Sequence, residues 1–251
     1  MLRVDLDPPI AHFVLNRADK LNAMTRGFFT ELHEALDQVE ADDRIRAVVI
    51  YGEGRSFSVG GDIAGFGDLD GVADRREYVR EAMWAYRRVE ECTKPTIAAV
   101  HGHAMGGGCE LTLVCDLVVA DETAKFALPE TSVGLMPGPG AVRGRAHLGL
   151  HTLKYLVLTG AAIDAHAAER AGLVNEVVPA GTHVEKACEW ANAIAAKAPL
   201  GVAAAKAFFT AGGWDTYQHA IDTVAMLQSS DDMNEGIAAF TEKRPPRFQG
   251  R

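Results

Sequence analysis

Four short apolar runs rich in β-branched residues mark the first half of the chain: Ile10–Leu15, Ala47–Tyr51, Thr96–Val100 and Leu117–Ala120. Their length and near-continuous hydrophobicity predict buried strands. Between the first two the period changes. Phe28, Phe29, Leu32, Ala35, Leu36 and Val39 recur at helical spacing after Thr25, which reads as the N-cap. A second helix is predicted from Asp74 to Glu91, ending before Lys94-Pro95. Strands that alternate with helices predict an α/β layered core.

After about Ala141 the pattern turns mainly helical. Thr182-His-Val-Glu185 reads as a capping box, followed by Val184, Ala187, Cys188, Ala191 and Ile194 on one face. Pro199 opens another helical stretch through Phe209. Gly212-Gly213 separates it from a helix after Asp215 that carries Ala220, Ile221, Val224 and Leu227, and Gly236 to Phe240 continues a final helix. The division this suggests is a core over residues 1–195 and a helical region over 196–251. Such a tail, apolar on more than one side, packs either on a neighbouring subunit or back on its own domain.

With 251 residues, 48% hydrophobic and 24% charged, the chain can bury a substantial core. A mean hydropathy of −0.02 is that of a globular protein. The formal charge of −9 argues against a general nucleic-acid or anionic-membrane binder, although an anionic ligand needs only a local basic patch. Cys92, Cys109, Cys115 and Cys188 form no CxxC pair and no disulfide framework. The N-terminus carries no basic segment followed by an apolar one, and charges interrupt every apolar run before membrane-spanning length. The expectation is a soluble cytoplasmic protein without a membrane or nucleic-acid partner.

Candidate chemistry lies in two glycine-rich stretches, His101 to Glu110 and Leu128 to Gly138, which contain Glu110 and Glu130. The first runs from a strand through glycines into a helix, as nucleotide-binding loops do. A P-loop fails because Gly102…Gly107 is followed by Gly108 and Cys109 rather than lysine. A dinucleotide fingerprint from Gly106 fails because Leu111 stands where glycine is required. What remains is a glycine triplet at a helix N-terminus, with free N–H groups and a dipole that favours negative charge. Taken alone it reads equally well as a close-packed turn. Phe57-Ser-Val-Gly-Gly-Asp62, just after a strand, offers further exposed N–H groups. His101, His103, Cys109 and Glu110 fit no standard zinc spacing, so no metal is expected. Serine-hydrolase chemistry lacks its Gly-x-Ser-x-Gly element.

Taken in order, Asn16-Arg17…Leu21-Asn22-Ala23, Phe57–Asp62, Lys94–Leu111, Cys115-Asp116, Phe126–Gly138, Leu158–Gly160, Ala168–Asn175 and Asn234–Arg244 resemble the enoyl-CoA hydratase/isomerase (crotonase) family along nearly the whole chain. The resemblance implies repeated ββα units, a helical C-terminal region that forms trimers or hexamers, and an acyl-CoA thioester substrate whose CoA is the only cofactor moiety. It places an oxyanion hole on the N–H groups of Gly61 and Gly107, and acid–base chemistry on Glu110 and Glu130. It maps CoA contacts onto Lys20, Leu21, Val59, Asp62 and Ile63, with Phe240 and Lys243 closing over them. Two retained glutamates favour hydration of a 2-enoyl-CoA over Δ3-Δ2 isomerisation. A catalytically silent CoA-binding oligomer is the reading from another class. One departure falls after Pro137-Gly138, where Pro139 to Gly149 differs from the usual pattern beside the acyl pocket.

Overall fold

The computed structural model describes residues 1–68, 71–211 and 230–251. All four predicted strands form: β2 (Ile10–Leu15), β3 (Ala47–Gly52), β4 (Thr96–Val100) and β6 (Leu117–Asp121). They lie side by side and parallel in a six-stranded sheet of order β1-β2-β3-β4-β6-β9. Its edges are two strands that the apolar runs did not announce. β1 (Leu2–Asp7) alternates apolar with charged residues, as suits an edge, and pairs antiparallel with β2 from Leu2↔Leu15 to Asp7↔Ile10. β9 (Glu176–Val178) closes the other side beside β6.

A smaller sheet of β5 (His103–Met105), β7 (Lys125–Ala127) and β8 (Ile163–Asp164) completes the ββα repeat. In each repeat a strand of the large sheet is followed by a short segment in the small one and then by a helix. β4 and β5 lead into α3 (Gly107–Val114). β6 and β7 lead, through a 3₁₀ turn at Glu130–Val133, to α4 (Pro139–His147), which α5 (Leu150–Thr159) and α6 (Ala165–Arg170) follow. β3 leads through Ser58, bridged to Ala104, towards α2 (Gly71–Glu91). Segments of two or three residues are too short to carry a periodicity, which is why only their neighbours were legible.

Alternation along the strands divides the core. Val48, Ile50, Ala98 and Val100 face α1 (Arg26–Ala41), α2 and α3 in the larger apolar cluster. Ala47, Val49, Ile97, Ala99 and Val119 face the other way, onto Ala187 and Ala191 of α7 (His183–Ala195). All six predicted core positions of α1 are buried. Thr25 is its N-cap by backbone position, but its side chain makes no capping bond.

The capping box at α7 is not formed. The Thr182 hydroxyl donates to the Pro179 carbonyl at 2.8 Å, so it is tied to the preceding turn rather than to the helix N–H groups. α2 starts at Gly71, three residues before the predicted Asp74. α8 (Pro199–Ala211) and α9 (Asp231–Glu242) occupy the predicted helical stretches, whereas the helix expected after Asp215 lies outside the described residues. Among the described residues no single helix is long and apolar enough to cross a membrane.

Candidate active site

The site is built where the loops after β3 and β5 cross. Asn22 joins the first of these to the Lys20-Leu21 turn. It is fully buried, with φ 57°, a conformation that asparagine tolerates better than most residues. Its Oδ1 accepts the Arg17 N–H at 2.9 Å, and its Nδ2 donates to the carbonyls of Glu53 and Ser56 at 2.9 and 2.8 Å. The Ser58 hydroxyl donates to the Asn22 carbonyl at 2.8 Å. Asn22→Ala orphans three backbone groups, of which the Ser56 carbonyl is fully buried, and an expected loss of about 2–4 kcal/mol would be read by urea denaturation.

Gly60 adopts φ +88°, and a methyl group there would meet the Met105 carbonyl at 2.7 Å and the Gly107 nitrogen at 2.8 Å. This contact sets the next residue, Gly61, beside Gly107: a methyl on Gly107 would lie 3.6 Å from the Gly61 nitrogen. Gly107 is the first residue of α3, so its N–H has no intrahelical acceptor. Neither N–H donates to a turn, loop or cap carbonyl among the described residues. The result is a pair of neighbouring N–H groups at a helix N-terminus.

Glu110 and Glu130 lie around the same turn. Glu110 sits in the first turn of α3, is only 7% exposed, and accepts the Gly140 N–H of α4 on Oε1 at 2.9 Å. Glu130 begins the turn after β7. A methyl on Gly106 would lie 3.2 Å from its Oε1, which places this carboxyl against the residue that precedes the Gly107 N–H. Both Glu130 carboxyl oxygens are buried and without a hydrogen-bond partner among the described residues. Burial pushes the Glu110 carboxyl up to about 7; the Gly140 N–H opposes the shift and the negative charge of Glu130 adds to it. Burial likewise raises Glu130.

The raised Glu110 value has a consequence for stability. Its unfolded carboxyl ionises near 4.5 while the folded one keeps its proton to about 7. The native state therefore binds more protons between these values, and stability falls as pH rises through this window. Glu110→Gln removes that penalty and keeps an oxygen for the Gly140 N–H. The variant should gain up to about 3 kcal/mol over wild type at pH 8 and almost nothing at pH 4, as measured by urea denaturation at the two pH values.

Tyr86, a residue that sequence reasoning did not single out, completes the site. Its buried hydroxyl donates to the Gly107 carbonyl at 2.9 Å and lies 3.3 Å from Met24 Sδ. Its α2 position belongs to a buried helical face and carries no sign of what it touches. Arg17 was also unassigned. Its guanidinium binds the Asp62 carboxylate at 2.6 Å and the Ala23 carbonyl at 3.0 Å, and this holds Asp62 below the usual carboxylate range.

The remaining candidates divide into two groups. Lys20, Leu21, Val59, Asp62 and Ile63 form one strip, in which the Val59 N–H donates to the Leu21 carbonyl at 3.1 Å and Lys20 and Ile63 are exposed. Lys243 follows α9 and is exposed, and no described hydrogen bond or ion pair joins it to that strip. Phe240 belongs to α9, but its side chain lies outside the described residues. The histidines weighed as metal ligands are engaged elsewhere. His101 stacks on His183 with centroids 4.7 Å apart, and His103 Nδ1 meets Ser56 Oγ at 3.2 Å. No group of three or more His, Cys, Asp or Glu suited to a metal occurs among the described residues.

Residues 7–251 match the family model described as enoyl-CoA hydratase/isomerase. The chain belongs to the enoyl-CoA hydratase/isomerase family. Among curated relatives, the 2,3-dehydroadipyl-CoA hydratase of Escherichia coli K12 is 36% identical over 242 residues, covering 94% of each chain. The mitochondrial enoyl-CoA hydratase of Pongo abelii is 35% identical, over 94% of this chain and 82% of the relative. The crystal structure of an enoyl-CoA hydratase from Bacillus anthracis superposes with a TM-score of 0.94 at 32% identity, covering 100% of this chain and 99% of that one. Agreement at that level over the full length assigns the crotonase fold to this member of the family.

Proposed function

We propose that this family member hydrates a 2-enoyl-CoA thioester. The observation that carries the reading is the placement of one hydrogen-bonded carboxyl, Glu110, and one unpartnered buried carboxyl, Glu130, around two free N–H groups. The N–H groups of Gly61 and Gly107 hold the thioester oxygen as it gains enolate charge. Such donors are already oriented, and each contributes a few kcal/mol. Of the two carboxyls, Glu110 is the one whose orientation is fixed by a backbone N–H, that of Gly140, and it acts in its ionised form. It takes a proton from the water that attacks the β-carbon. Glu130 delivers the proton to the α-carbon. Addition of O–H across the double bond then balances without metal or redox cofactor.

The strip from Lys20 to Ile63 holds the CoA portion. In an assembly of three copies, or of two such trimers, Phe240 and Lys243 close over that strip. The localisation this reading favours is the cytoplasm.

Crotonyl-CoA hydration, followed by loss of the enoyl-thioester absorbance, tests the reading. Turnover supports it. Isomerisation of a 3-enoyl-CoA without hydration replaces it with a single-carboxyl proton shuttle through Glu130. CoA binding with no turnover on either substrate replaces it with a silent binding protein.

A further inference from the structure

A cavity of about 930 Å³ opens beside the site, with Tyr86 and Pro139 among its lining residues. Tyr86 bonds the Gly107 carbonyl, and Pro139 immediately precedes the glycine that holds Glu110. The cavity therefore adjoins the residues that contact Gly107 and Glu110, without being lined by Gly61, Gly107, Glu110 or Glu130 themselves, and its size is that of a pocket for a small organic group, about 300–1,000 Å³. Its walls are largely apolar, with Val79, Met83, Trp84, Val142, Ala203 and Ala207 among them.

The charges on this wall are unlike those of the chain as a whole. Arg76, Arg80, Arg87, Arg143 and Lys206 line it, against Glu90 and Glu91. Four of the five cations are paired. Arg80 pairs with Glu77, Arg87 with Glu91, and Lys206 with Asp116. Arg76 has no ion-pair partner among the described residues. Arg143 pairs with Glu90 through Nη2, with side chains 30% and 16% exposed, and its guanidinium makes no other hydrogen bond among the described residues. An ion pair set into an apolar wall is weak evidence for stability, because desolvation offsets its attraction. It does provide a guanidinium held in place by one carboxylate and able to accept a second. Arg143 is one helical turn beyond Pro139, on the same side of α4.

We infer that this cavity receives the acyl end of the substrate and that Arg143 binds a carboxylate on it. The favoured substrates are then thioesters of dicarboxylic acids, with the free carboxylate several carbons beyond the double bond. The inference rests on the acyl-CoA reading above and adds the chemical class of the acyl group. Glu90 holds Arg143 in place and also competes with the substrate carboxylate for it.

Calorimetric binding of two saturated thioesters, the mono-CoA ester of hexanedioic acid and hexanoyl-CoA, tests this without turnover. A charge-assisted pair predicts an affinity ratio of about 10–100 in favour of the carboxylated thioester. Arg143→Gln should bring the ratio to within about twofold of unity, and Glu90→Gln should raise it by freeing the guanidinium. Equal affinities in the wild-type protein overturn the inference, as does a preference that Arg143→Gln leaves intact. A fall in the ratio with Glu90→Gln also overturns it, because Glu90 then serves only to build the wall. An Arg143→Gln variant that changes the sedimentation mass but not the ratio assigns the residue to a subunit contact instead. Failure of crotonyl-CoA hydration with the binding preference intact sinks the hydratase reading and leaves this one standing.

Discussion

Glu110→Gln and Glu130→Gln each lower kcat for crotonyl-CoA hydration by about 10²–10⁴-fold, the range for losing a positioned acid or base. The two effects are strongly non-additive, and the double variant is little worse than either single one, since each carboxyl is useful only while the other completes the proton transfer. KM changes little, because neither carboxyl binds CoA. Single-turnover measurement with both variants decides the matter. A Glu110→Gln variant that retains more than about a tenth of wild-type hydration would remove this residue from the mechanism. The same variant is expected to be more stable than wild type at pH 8, so its loss of activity cannot be ascribed to unfolding.

Gly60→Ala has the second-largest expected effect and acts through the backbone. At φ +88° an alanine is strained, and its methyl would approach two main-chain atoms, at 2.7 and 2.8 Å, neither of which can rotate aside. The structure responds by separating the loop of Gly61 from the N-terminus of α3, which pulls the two N–H groups apart. A misplaced donor costs about 2.7–4 kcal/mol of transition-state stabilisation, or about 10²–10³ in kcat. Strain and lost packing together remove a further 2–4 kcal/mol or so of stability. Gly181→Ala is the comparison. Gly181 has φ +82° but nothing within 4 Å of the added methyl, so it carries the strain without the collision. Its cost should be about 1–2 kcal/mol in urea denaturation, with kcat unchanged. Equal kcat losses in the two variants would show that the Gly60 contact has no special role.

Much of the fold was legible because its elements obey a local rule. The four parallel strands are buried on both faces, so their apolar runs are nearly unbroken and their bounds fall within a residue or so of those observed. Helix α1 covers one sheet face, and the 3.6-residue period of its buried positions follows from that. β1 escaped notice because an edge strand needs only partial burial, and its apolar residues alternate with charges. The capping box failed for a related reason. The residue pattern permits a bond between Thr182 and the helix, but the turn that delivers the chain to α7 offers the Pro179 carbonyl instead.

The candidate site divides in the same way. Residue types at fixed spacing named Glu110, Glu130, Gly61 and Gly107, and a chain-long family pattern gave them roles. Sequence could not show that α4 turns its N-terminus towards Glu110, since that bond joins residues thirty positions apart. Nor could it show that Tyr86 reaches Gly107, or that Arg143 and Glu90 meet on a cavity wall. The atypical segment after Gly138 is where this mattered most. Read along the chain it is an interruption of the family pattern, whereas in the fold it is the helix that supplies the Gly140 N–H and carries Arg143.

By itself, then, the sequence determined the strands, the long helices, the family and the identities of the carboxyl and glycine candidates. These depend on side-chain period and on residue type, both of which are local. The tertiary structure alone decided which carboxyl is hydrogen-bonded and which is left unpartnered, how far burial raises each, and which charges face the cavity. Those properties depend on distance and exclusion of water, and both are set by segments that meet only when the chain has folded.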